Sequence, residues 1–106
     1  HQLRRFPARV DFHTSAGFLE GGDARAKTGV RGSGPQAVVT NLGILKPNQN
    51  GEMVLAALHP GCSFEQAQAN TGWALKQAEN MVYTSAPTEE ELRILREELD
   101  PQRIYI

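Results

Sequence analysis

Cysteine is all but absent from this chain of 106 residues, where Cys62 stands alone. A single thiol has no internal partner, so a disulfide-stapled scaffold is excluded and a reducing compartment fits. Long apolar runs are missing too. None approaches the ~18–20 residues of a membrane span, and His1-Gln2-Leu3-Arg4-Arg5 lacks the apolar stretch of a secretory signal. The expected location is therefore cytoplasmic, with no membrane partner. Nor is there an excess of one charge, because 11 Lys and Arg face 12 Asp and Glu, scattered along the chain for a net charge of −1. Without a basic stripe nothing draws in a nucleic-acid backbone, and none is expected as a partner. A chain of this size makes one domain at most and buries roughly 60–70% of its unfolded surface. It opens on His1 rather than Met, as a processed or excised chain would.

What is present divides at Gln36. Residues 1–35 form a Gly-rich segment with little to bury: Gly17, Gly21, Gly22, Gly29, Gly32 and Gly34 lie among small and charged residues. The segment is expected to be irregular, with one short strand at Val10-Asp11-Phe12, and to be covered by something outside the chain. Residues 36–106 are expected to form an α/β unit. Ala37-Val38-Val39-Thr40 and Leu42-Gly43-Ile44-Leu45 are aliphatic, the cluster Lys46-Pro47-Asn48-Gln49-Asn50-Gly51 is turn-forming, and Glu52-Met53-Val54-Leu55-Ala56-Ala57-Leu58 is apolar again. That order predicts a β-hairpin with an Asn-Gly-containing loop. Apolar side chains on both faces suit a sheet covered on both sides.

Two helices announce themselves by their first turns. Ser63-Phe64-Glu65-Gln66 fits a capping box just after the strand-stopping Pro60-Gly61, and Thr71-Gly72 ends that helix near Asn70. Trp73-Ala74-Leu75-Lys76 then predicts a short returning strand. Thr88-Glu89-Glu90-Glu91 is a second capping box, with three carboxylates where the helix dipole favours them. Leu92, Leu95 and Leu99 share one face, and Glu89 precedes Arg93 by four residues, a spacing that gives an ion pair of about a few tenths of a kcal/mol. Asp100-Pro101 ends the helix. The fold class expected is an open α/β sheet built from a hairpin, helices and a returning strand.

Chemistry-bearing motifs are sparse. His1, His13 and His59 are far apart and none has a second ligand three or four residues on, so no metal site is expected. Cys62 precedes a helix but has no histidine placed by sequence to activate it, and small filler is the better reading. Gly29-Val30-Arg31-Gly32-Ser33-Gly34-Pro35 has the composition of a phosphate loop. It follows irregular chain and opens a strand, whereas dinucleotide and Walker loops follow a strand and open a helix. A structural turn leads, with Arg31, Gly32 and Gly34 kept as low-weight candidates for a phosphorylated cofactor. The triplet Glu89-Glu90-Glu91 is a helix cap and not an acid/base pair. No catalytic residue is assigned.

Taken together in order, several stretches resemble the end of glutaconate CoA-transferase β subunits, in the class I coenzyme A transferases. They are Gly34-Pro35-Gln36-Ala37-Val38-Val39-Thr40-Asn41-Leu42-Gly43, Gly51-Glu52-Met53, Leu58-His59-Pro60-Gly61, Ala69-Asn70-Thr71-Gly72-Trp73, and Pro87 to Leu92 with Asp100-Pro101. Arg4-Arg5-Phe6, Val10-Asp11-Phe12 and Thr14-Ser15-Ala16-Gly17 resemble the segment before them there, so the resemblance covers essentially the whole chain.

The resemblance implies an open α/β fold and an enzyme of two related subunits that moves CoA from an acyl thioester to a carboxylate through a glutamyl-CoA thioester. Coenzyme A thioester would be the substrate of the full enzyme. Some relatives hydrolyse a ring in a cyclic CoA thioester, so kinship alone does not fix the reaction. In the family the nucleophilic glutamate sits in a Glu-Asn-Gly-like motif in the N-terminal half of the subunit, with a glycine-rich oxyanion segment also before the equivalent of His1. Neither occurs here, and Glu20, in Leu19-Glu20-Gly21-Gly22, lies in the wrong part of the pattern to inherit the role. The chain is thus expected to be a C-terminal structural portion, inactive alone. Its partners would be an α subunit together with the missing N-terminal part of its own subunit, or other copies of itself. The alternatives are a free-standing interaction or oligomerisation module derived from that family, or part of a related CoA-thioester ring-cleaving hydrolase.

Overall fold

The computed structural model describes residues 1–105. Its centre is a four-stranded sheet in the order β1-β2-β3-β4, from β1 (Val38–Val39), β2 (Gly43–Pro47), β3 (Met53–Leu58) and β4 (Gln77–Tyr83). The first three strands form an antiparallel meander and β4 lies parallel to β3. The crossover between them is α2 (Phe64–Ala69), since parallel neighbours cannot be joined by a tight turn. This is the open α/β sheet expected from the sequence, hairpin included.

The hairpin loop is closed by its own asparagine. Asn48 Oδ1 accepts from the amides of Asn50 and Glu52 at 2.9 and 3.0 Å, and the Asn48 amide donates to the Glu52 carbonyl. Leu45 pairs with Leu55 but Ile44 with Ala57, which makes Ala56 the extra residue of a β-bulge. The next ladder is more irregular. Leu55 pairs with Gln77 and Ala57 with Val82, so a longer stretch of β4 spans a shorter one of β3.

One face of the sheet holds the core. Leu45, Leu55 and Leu58 are fully buried there with Ala67 of α2 and Leu75, and Val38, Met53, Phe64, Trp73 and Met81 pack around them. Val54 and Ala57 are buried outside that cluster: the bulge at Ala56 interrupts the alternation of side chains along β3, so Leu55 and Leu58 join one core although three residues apart. Helix α2 starts where its box predicts: Ser63 Oγ accepts from the Gln66 amide at 3.2 Å and Gln66 Oε1 from the Ser63 amide at 3.0 Å.

Five expectations are corrected. Val10-Asp11-Phe12 forms no strand, and with Phe12 80% exposed the triplet has no sheet edge to pair with. The returning strand is Gln77–Tyr83 rather than Trp73–Lys76, because Trp73 and Leu75 are drawn into the core and the chain meets β3 only after them. The terminal helix begins as α3 (Glu89–Arg93) under the predicted Thr88 box, then widens into a π-helical stretch over Ile94–Leu99 that closes with the Asp100 amide on the Leu95 carbonyl at 2.8 Å. Its leucine face is not buried: Leu95 and Leu99 are exposed, and no residue of the arm joins the core. Arg93 pairs with Glu90 at 2.9 Å and Glu98 at 2.9 Å, not with Glu89.

The Gly-rich segment carries one short helix, α1 (Ala24–Lys27), and is otherwise irregular. It docks on the hairpin loop, where Phe18 lies against Gly51 and the Gly22 amide donates to the Asn50 carbonyl at 2.7 Å. A Cβ on Gly51 would come 2.9 Å from the Phe18 side chain, so the loop needs glycine there. Before it, residues 1–8 run over the turn after α2, with the Gly72 amide on the Phe6 carbonyl. Among the described residues no helix is long and apolar enough to cross a membrane.

Candidate functional site

In open α/β sheets ligands gather at the carboxyl ends of parallel strands. Here those ends are Leu58 and Tyr83, and the residues just beyond them, His59 and Thr84, are hydrogen-bonded to each other. His59 Nε2 lies 2.9 Å from the Thr40 carbonyl, which can only accept, so that nitrogen carries a proton, and Nδ1 lies 2.8 Å from the Thr84 hydroxyl. Thr40 comes from the turn between β1 and β2. Its hydroxyl accepts from the Leu42 and Gly43 amides, both at 3.1 Å, and donates to the Gly43 carbonyl.

A second imidazole completes the cluster. His1 stacks on Phe6 with ring centroids 3.9 Å apart, and its nitrogens reach the hydroxyls of Thr40 at 3.3 Å and Thr71 at 3.0 Å. Thr71 is buried and donates to the Ala67 carbonyl at 2.7 Å, tying the cluster to α2. Cys62 lies beside it, its Sγ 3.8 Å from the Asn41 carbonyl and its amide on the His59 carbonyl. The arrangement locks three turns at one end of the sheet. Its imidazoles are turned to hydroxyls and carbonyls rather than to a nucleophile, so what it does chemically is hold shape. His1 and His59 are distant in sequence; the pairing of β2 with β3 brings His59 to Thr40, and the docking of residues 1–8 on the turn after α2 brings His1. No spacing in the sequence signals that.

The glycine loop is organised differently. The Arg25 guanidinium donates to the carbonyls of Gly17 at 2.6 Å, Arg31 at 2.9 Å and Gly32 at 3.3 Å. Gly32 and Gly34 both have left-handed backbone, with φ of +80° and +82°, and a Cβ on Gly34 would press on Phe18 at 3.0 Å. Arg25 thus holds Arg31 and Gly32 by their carbonyls while Gly34 lies against Phe18, and the Arg31 side chain is exposed. Glu20 is exposed at the turn beside Gly21 and Gly22. Among the described residues no three His, Cys, Asp or Glu side chains converge as metal ligands would.

On the sheet face opposite the core, the irregular β3–β4 ladder borders a groove of about 600 Å³ over Val54, Ala56 and Ala78, rimmed by Lys46, Lys76 and Asn80. Lys76 is occupied, paired with Glu52 at 2.8 Å across that rim.

No family model matches the chain. Curated proteins do. It is 46% identical over 94 residues to the B subunit of 3-oxoadipate CoA-transferase from Pseudomonas knackmussii, covering 88% of this chain and 36% of that protein. It is 39% identical over 108 residues to the B subunit of glutaconate CoA-transferase from Acidaminococcus fermentans, covering 100% of this chain and 40% of that one. A third relative, the IpdB subunit of the cholesterol ring-cleaving hydrolase from Rhodococcus jostii, is 37% identical over 68 residues, or 63% of this chain. The crystal structure of glutaconate coenzyme A-transferase from A. fermentans superposes on 99% of this chain with a TM-score of 0.89 at 38% identity, using 41% of its own chain. That of R. jostii IpdAB covers 64% of this chain with a TM-score of 0.55. The chain thus spans about two-fifths of the length of the first two relatives.

Proposed function

We propose, because the chain is a homologue of the B subunits of glutaconate-type CoA-transferases, that it forms the C-terminal structural portion of such a subunit, without catalytic activity alone. The parent enzyme would transfer CoA between an acyl-CoA and a carboxylic acid in the cytoplasm, partnered by an α subunit. One observation carries the reading: the match runs through all of this chain yet takes in only 40% of the glutaconate relative. In support, the polar cluster at the strand ends spends its imidazoles on hydroxyls and carbonyls, and Glu20 sits in an exposed turn away from it. The catalytic glutamate would come from the rest of the subunit.

Within this chain Arg31, beside Gly32 and Gly34, is the candidate for meeting a phosphorylated group of coenzyme A. A guanidinium suits that task because it presents several donors to one phosphate. The test of the main reading is an assay of the isolated chain with acetyl-CoA and dicarboxylic acids, in which no turnover above buffer is expected. A turnover abolished by Glu20→Gln would overturn it. A second reading, part of a ring-cleaving hydrolase acting on a CoA thioester, is favoured by the R. jostii relative. That relative matches a shorter stretch of this chain than the two transferases do.

A further inference from the structure

We infer that β4 is an interior strand of the assembled subunit, with a strand from the remainder of that subunit paired along its free edge and covered by the leucine face of the terminal arm. The inference rests on the functional reading above and names the surface that the rest of the subunit takes.

The edge itself is the first reason. β4 ends the sheet, with β3 on one side only. The Lys76 carbonyl accepts from the Leu55 amide at 2.8 Å and the Thr84 amide donates to the Leu58 carbonyl at 2.9 Å. Successive residues of a strand turn their amides to alternate sides, so those of Gln77 and Tyr83 face away from β3. Natural edge strands are blunted by proline, charge, bulges or brevity. Gln77-Ala78-Glu79-Asn80-Met81-Val82-Tyr83 has seven residues and no proline, carries a single charge at Glu79, and ends beyond its irregular point on exposed Val82 and Tyr83.

The arm is the second. A helix following a parallel strand ordinarily lies back on the sheet, over the next strand of the series. α3 follows β4, yet Leu95 and Leu99 stay exposed and the arm contributes nothing to the core over β1–β4. Its natural seat is a strand that this chain does not contain. The shape agrees: the radius of gyration is 16.5 Å, against about 13 Å for a compact domain of this length. The same extended layout recurs, at a TM-score of 0.89, within a chain more than twice as long. The extra length in that chain is ample for further strand–helix units, each of which needs a crossover of about a dozen residues or more. A second copy of this chain would fill the edge less well, since two β4 edges related by a two-fold axis pair antiparallel, whereas the strand–helix series to which β3, α2 and β4 belong runs parallel.

The test is a chimera in which this chain replaces its matching segment in the B subunit from P. knackmussii, compared with the isolated chain by residue-resolved hydrogen exchange. The Gln77 and Tyr83 amides are expected to exchange freely in the isolated chain and at least ~10-fold more slowly in the chimera without the α subunit. Protection appearing only once the α subunit is added would give the edge to that other chain and overturn the inference. Concentration-dependent protection in the isolated chain would give it to a second copy, with the same result. A chimera that transfers CoA with the α subunit while both amides stay unprotected overturns the edge assignment and leaves the functional reading standing. One that protects the edge but transfers no CoA does the reverse. A chimera that fails to fold beside a folded parent overturns both.

Discussion

The Thr84 hydroxyl lies 2.8 Å from His59 Nδ1, and the two residues follow the last residues of adjacent parallel strands. A side-chain bond there closes the β3–β4 ladder just past the point where its register is irregular. Thr84→Val removes the hydroxyl and keeps the shape, so the loss should be the net worth of one hydrogen bond, about 0.5–1.5 kcal/mol in urea melts. The imidazole nitrogen shifts should also change, because Nδ1 loses its partner while Nε2 keeps the Thr40 carbonyl. Unchanged stability together with unchanged ring shifts would mean that the contact does not exist in solution.

Gly43 faces the Ala57 carbonyl across the bulge, and an added Cβ would sit 2.2 Å from that oxygen. Backbone cannot swing aside as a side chain can. Gly43→Ala is therefore expected to cost about 1–3 kcal/mol, read as a lower denaturant midpoint. Gly22→Ala, where a Cβ meets open space, provides the contrast, and its penalty should come from its left-handed φ of +54° alone. A neutral Gly43→Ala would contradict the register of the hairpin.

The terminal arm should respond locally, not globally. Thr88 Oγ1 accepts from the Glu91 amide at 3.2 Å, so Thr88→Ala should loosen the first turn of α3 by on the order of 1 kcal/mol. Since the arm adds nothing to the core, that loss should show as roughly fivefold faster amide exchange in α3 with an unchanged global midpoint. Leu95→Ala should be nearly silent in the isolated chain for the same reason. A large drop in the midpoint on Leu95→Ala would show that the arm packs on this chain after all.

Acid should release the arm. The Thr88 amide and then its hydroxyl, both donating to the carboxylate, hold Glu91 below its ordinary value of 4.5, and Arg93 does the same for Glu90. A carboxyl with a lowered folded-state pKa binds fewer protons folded than unfolded. Its contribution is complete above the ordinary carboxylate range and fades as pH falls through the lowered value. Side-chain carbon shifts followed from about pH 6 to pH 2 should show Glu91 titrating below its value in Thr88→Ala. A Glu91 midpoint at or above the ordinary value would remove the box from solution.

Much of this architecture was legible in the residues. Capping boxes at Ser63 and Thr88 depend on chemistry three residues away, and both formed as read. The hairpin followed from aliphatic runs around an Asn-Gly loop. What misled was burial that depends on the rest of a fold. Trp73 and Leu75 resemble the start of a strand until the core takes them, and Leu92, Leu95 and Leu99 resemble a core face whether or not anything covers them. The cluster at His59 could not be read at all, because Thr40 and Thr84 meet it only through strand pairing, and His1 meets Thr71 only through docking on the turn after α2. Arg25 was equally silent, since its partners are carbonyls, which every residue carries.

That last feature sets the two flanks of the chain apart. The arm is fastened by carboxylates that protons can disarm, whereas the Gly-rich segment is gathered by one guanidinium onto the carbonyls of Gly17, Arg31 and Gly32. Peptide carbonyls do not titrate, and arginine stays charged at any pH a protein survives. The segment therefore has a clasp that acid does not open, beside the Phe18 contact with Gly51 and the Gly22 amide on the Asn50 carbonyl. Lysine in the arginine's place would offer one ammonium where a planar fork spans three oxygens, so Arg25→Lys should spring this loop at neutral pH, where acid leaves it shut.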